Sequence, residues 1–76
     1  MAIVRISYDA KYYNQFDNIL EQKAKEFKLK RGSSGMGFGQ RDIDFESKNY
    51  ENCLNFAKSV KKLKEIDSIE VLQVIK

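Results

Sequence analysis

The chain has 76 residues, of which 42% are apolar and 33% charged, with a net charge of +3. One domain over residues 1–76 is expected, near the lower size limit for independent folding. The absence of histidine and the lone cysteine exclude an internal disulfide, a cysteine–histidine zinc site and histidine-based acid–base catalysis.

Ala2 to Tyr8 alternates and is β-branched, which predicts a strand. Val4, Ile6 and Tyr8 would face one side, and Ile3, Arg5 and Ser7 the other. Charge interrupts this segment too early for a signal peptide, and no apolar run approaches the roughly 18 residues of a membrane helix. With a free Cys53, a reducing cytoplasm is the expected location. Asp9 stands where a helix N-cap belongs. From Ala10 to Phe27 the residues Tyr13, Phe16, Leu20, Ala24 and Phe27 recur at helical spacing, predicting an amphipathic helix.

The next stretch, Lys30 to Phe45, is the most unusual in the chain. It holds all four glycines (Gly32, Gly35, Gly37 and Gly39), Arg31 and Arg41, and the carboxylates of Asp42 and Asp44. It reads as a β-hairpin with a weak outer strand over residues 29–34 and Met36 to Gly39 at or near the bend. Gln40 to Glu46 then return, Ile43 and Phe45 pointing in and the acids out. The glycines exceed what a two-residue turn needs, so residues 32–40 are expected to project as a bendable tongue.

Ser47 or Asn49 can cap a second helix from Tyr50 to about Lys64. Its apolar face is Tyr50, Cys53, Leu54, Ala57, Val60 and Leu63, with Phe56 at the margin. Asp67 and Ser68 turn into a closing strand, Ile69 to Ile75. That strand is apolar on both faces (Val71 and Ile75; Leu72 and Val74), which suggests a homodimer formed through it. The order β-α-β-β-α-β predicts an α+β, ferredoxin-like fold, with two helices packed on one face of a four-stranded antiparallel sheet. That architecture hosts many functions, so function must be argued from a site.

Three sites compete. The first is the hairpin, with Met36 and Phe38 as apolar anchors, Arg31 and Arg41 as charged flanks, and Gly35, Gly37 and Gly39 as the flexible frame. It suits a small non-enzymatic interaction or regulatory module that engages a macromolecular partner, most simply a protein. A phage or mobile-element accessory protein would fit this description. The second is a basic pole of Lys58, Lys61, Lys62 and Lys64 joined by Arg31 and Arg41, which would bind nucleic acid. The same lysines also offset a helix macrodipole. The third pairs Asp9 with Asp42 as acids of a metal-dependent phosphodiesterase.

Other signatures fail on their spacing. The glycines precede no Gly-Lys-Ser/Thr and no helix, so they are not a phosphate-binding loop. Aligning Phe45 with the last aromatic of the RNA-recognition pattern puts Gln40 and Asp42 where stacking aromatics belong. Cys53 lies on an apolar helix face without a histidine to activate it, and reads as an inert core residue. No cofactor, no resident metal and no catalytic residue are expected.

Overall fold

A computed structural model of the chain describes residues 1–73. It contains β1 (Ala2–Asp9), α1 (Gln15–Glu26), β2 (Lys30–Gly37), β3 (Gln40–Ser47), α2 (Tyr50–Val60) and β4 (Ile66–Gln73). The strands form one antiparallel sheet in the order β2-β3-β1-β4. This is the predicted ferredoxin-like α+β arrangement. The continuation of the last strand through Val74 and Ile75 lies outside the described residues.

The alternation in β1 decides which face is covered. Ala2, Val4, Ile6 and Tyr8 are fully buried, whereas Arg5 is exposed. Ile43 and Phe45 of β3 meet Ile6 and Val4 in register. On the other side of β1, Ile69 and Val71 do the same. The helices cover this face, α1 toward β2 and α2 across β1, β3 and β4. Phe16, Leu20 and Ala24 of α1 join Cys53, Phe56 and Val60 of α2 in the core.

Phe56 lies deeper than its marginal place on the predicted helix face. It is fully buried, its ring edge-to-face with Phe45 at 5.3 Å and tilted toward Phe27 at 6.2 Å. Truncating an aromatic so placed costs about 3–5 kcal/mol. Tyr50, predicted to face inward, is exposed instead.

Both helices are shorter than their periodicity implies. Ala10 to Tyr12 is a 3-10 turn, and Asp9 caps that turn by accepting from the Lys11 N–H at 2.9 Å. Asn14 then takes φ 78°, which breaks helical hydrogen bonding, so α1 starts at Gln15. Tyr13 is thereby left outside the helix and largely exposed. At the other helix, successive turns replace helix after Val60, with the Leu63 N–H on Val60 O and the Ile66 N–H on Leu63 O. Leu63 still packs against the core, held by a turn rather than a helix.

The glycine-rich segment differs most from expectation. It is no tongue: residues 30–37 form a strand paired with β3, and the bend is only Phe38 and Gly39. Gly37 pairs with Gln40 on either side of it. Both central residues have positive φ, 52° and 80°, as a type I′ turn requires.

Candidate functional site

The hairpin is held from below by a buried ion-pair cluster. Arg41 on β3 points under α1 and is 7% exposed. Its Nη2 donates to Asp17 Oδ2 at 2.7 Å, and its Nη1 reaches Gly35 O at 3.5 Å. The guanidinium also lies over the Tyr13 ring, 4.8 Å from its centre. The second oxygen of Asp17 accepts from the buried Tyr8 hydroxyl, and Arg31 approaches Oδ2 at 3.7 Å. Arg31 itself is shared with Glu21 at 3.0 Å and with Ser34 at 3.2 Å.

These contacts fix the charge states. Burial alone would raise the Asp17 carboxyl, but hydrogen bonds from Arg41 and Tyr8, with the charges of Arg41 and Arg31, bring it below its ordinary value. Burial, followed by the Asp17 hydrogen bond, pushes the Tyr8 phenol well above its usual range. The Asp17 hydrogen bond raises Arg41 in turn. Tyr8 therefore stays a neutral donor, and Asp17 and Arg41 stay an ion pair, at any physiological pH.

Above this anchor the tip is bare. Phe38 is fully exposed, and Met36 is 51% exposed. The bend is tied to the body by its backbone, through the Ala10 N–H on Gly39 O at 2.9 Å. Gln40, next to it, donates to Asp67 at 2.9 Å. Met36 and Phe38 are thus carried on a braced strand pair rather than a loose loop.

Of the predicted hairpin residues, Met36 and Phe38 lie at the exposed tip with Gly37 and Gly39, and Gly35 lies on the edge strand. Arg31 is partly exposed and already paired with acids of α1. Arg41 departs from the expected exposed flank: Asp17 draws it beneath the helix, where it supports the hairpin from inside. It consequently does not join Lys58, Lys61, Lys62 and Lys64, which are exposed along the end of α2 and its connection to β4. The predicted basic pole is reduced to those lysines.

The open face of the sheet carries the acids. Arg5 holds Asp44 through two hydrogen bonds at 3.0 and 3.2 Å, the cross-strand pair that register dictates. Ser7 donates to Asp42 at 2.5 Å. Asp9 lies opposite Gln40 and Asp42 opposite Ser7, so each predicted metal acid has its own protein donor. Among the described residues, no three of His, Cys, Asp and Glu gather as a metal-binding group. Cys53 is buried, its thiol directed at Ala2 O at 3.7 Å and raised in pKa chiefly by burial.

Asp17 and Tyr8 were not singled out as site residues from the sequence. A signal did exist. Asp17 falls three and seven residues before Leu20 and Ala24, on the apolar stripe itself, where a carboxylate requires a buried partner.

No family model matches the chain, and no curated protein matches it. Among solved structures, the chain is similar to the ACT domain from GTP pyrophosphokinase of Chlorobium tepidum. The crystal structure of that domain superposes with a TM-score of 0.65 at 16% identity, covering 93% of this chain and 95% of that one. The solution NMR structure of the same domain gives a TM-score of 0.70 at 15% identity, covering 97% and 86%. At such identities the likeness concerns the fold. No helix among the described residues is long and apolar enough to cross a membrane.

Proposed function

We propose that the chain is a small non-enzymatic regulatory module that grips a protein partner with the tip of its β2–β3 hairpin. The observation that carries this reading is Phe38. A bulky aromatic at φ 52° is locally unfavourable, because a two-residue turn of this kind is best served by Asn-Gly. Phe38 also gains nothing from burial, being fully exposed. A residue that opposes both local preferences is explained by a contact the isolated chain does not make.

Met36 adds a second apolar anchor on the same strand pair, and Arg31 a partly exposed charge beside it. Arg41, Asp17 and Tyr8 act as positioning residues that stiffen the base and lower the ordering cost of binding. Gly35 and Gly37 keep the edge low, so a partner can approach the backbone. The fold shared with an ACT domain, a kind of small regulatory module, supports the reading by analogy alone.

Affinity capture from the source cells tests this, using the wild type, Phe38→Asn, and a variant with Lys58, Lys61, Lys62 and Lys64 changed to glutamine. The reading expects one protein held by the wild type and by the lysine variant, lost by Phe38→Asn, and indifferent to nuclease. Loss of all captured material with nuclease would favour nucleic-acid binding instead.

A further inference from the structure

The two edges of the sheet are unlike. The β2 edge is interrupted by a register shift between Arg31 and Ser34 and carries Gly35 and Gly37 beyond it. The β4 edge is regular, pairing with β1 without a shift from Ser68 to Gln73. No strand covers its outer side among the described residues. An exposed, regular edge is a template for another strand, and soluble chains usually blunt such edges.

Beside this edge lies a groove of about 380 Å³ between α2 and β4. Leu54 and Ala57 form its helix wall, and Ile66, Ile69 and Val71 its sheet floor. Lys58 and Lys61 rim the end where α2 finishes. The acid at that end, Asp67, already accepts from Gln40 at 2.9 Å. The groove is therefore apolar along most of its length and basic at one end.

We infer that β4 and this groove receive an extended acidic–apolar segment of another protein, added antiparallel to β4. Main-chain hydrogen bonds to the free edge would supply register. Alternate apolar side chains would lie over Ile69 and Val71, and carboxylates beyond them would reach Lys58 and Lys61. Charge selects this occupant over a second copy. A two-fold β4–β4 pairing would be antiparallel and would set Gln73 of the second copy, not an acid, beside the Lys58 and Lys61 rim, leaving those charges without a partner. The site lies on the opposite edge of the sheet from the hairpin and does not depend on the hairpin reading.

The probe is a fluorescein-labelled synthetic peptide of alternating valine and threonine ending in two glutamates, titrated into the 15N-labelled full chain. Amide shifts confined to residues 54–61 and 66–73 are expected, together with binding that weakens as salt rises. Lys58→Glu combined with Lys61→Glu should weaken binding about tenfold. A peptide ending in two lysines should restore it in that variant, a rescue that a misfolded variant could not give. The spectrum of the free variant reports its fold directly. The inference is overturned if the shifts fall elsewhere or are absent. Equal binding of the glutamate and lysine peptides by the wild type would overturn it too. So would sedimentation equilibrium showing that the chain pairs with itself through these same residues.

Discussion

Asp17 and Arg41, 24 residues apart, meet at 2.7 Å beneath α1 and are the most buried charges in the described fold. Their pairing ties the helix to the strand that carries the hairpin. Removing one partner leaves a buried charge uncompensated, which is the expensive outcome for such pairs.

Asp17→Asn is expected to destabilise the chain by about 3–5 kcal/mol, and Arg41→Met by a similar amount. In a domain of this size that is a fall in Tm of roughly 15–30 °C, enough to unfold much of the population. The double variant Asp17→Asn with Arg41→Met should lose clearly less than the sum of the two, because neither charge remains to be orphaned. Urea unfolding of all four proteins checks this; strict additivity would mean that the pair does not act as a unit.

Titration of the same cluster sets a pH window. The folded-state Asp17 value is lowered, so its contribution is complete above its unfolded value near 3.8 and fades as pH falls through the folded value. Tyr8 is raised, so its contribution is complete below its unfolded value of 10.0 and declines as pH rises above it. Buried Cys53 is also raised, with an unfolded value of 9.0, and adds to the alkaline loss. Thermal midpoints should therefore be level across neutral pH and fall below about pH 4 and above about pH 9. Cys53→Ala should flatten the alkaline limb and leave the acid limb in place, whereas Tyr8→Phe should flatten both, because the Tyr8 hydroxyl also helps to lower Asp17.

The sequence was most informative where burial follows one local period. The alternation of β1 and β3 predicted that Val4, Ile6, Tyr8, Ile43 and Phe45 turn inward, as they do. Helix ends were less legible. The break at Asn14 depends on a positive φ that no apolar spacing announces, and the turns after Val60 keep Leu63 buried without a helix. Glycines hid the continuation of the outer strand through residues 35–37, since pairing with β3 rather than intrinsic preference extends that segment. Phe56 and Arg41 were misplaced for a shared reason. Their depth is set by partners far away in the chain, Phe45 and Phe27 for one and Asp17 for the other.

The glycines of β2 have a use that substitution can expose. A Cβ at Gly35 or Gly37 would meet nothing within 4 Å, and neither residue has positive φ. Changing both to valine is therefore expected to keep the fold and to favour the strand. The same change turns a blunt edge into an adhesive one, so the variant should form dimers or larger species that the wild type does not. Sedimentation velocity decides the point: a variant as monodisperse as the wild type would remove edge protection as the role of these glycines.

At the tip, stability and binding are expected to part company. Phe38 occupies the first central position of the turn with φ 52°, where asparagine is at ease and a bulky aromatic is not. Phe38→Asn removes no buried contact, because the ring is fully exposed. It should stabilise the chain by about 0.5–1 kcal/mol, which chemical denaturation can resolve. Gly39→Ala, at φ 80°, should instead cost about 1 kcal/mol through backbone strain, with open space around the added methyl. If the hairpin is a gripping surface, Phe38→Asn will be the more stable protein and the poorer binder. Gly39→Ala will be the reverse, weaker in fold but still able to bind, because its ring remains on display. A Phe38→Asn variant that is both more stable and fully competent would leave the exposed aromatic without a role.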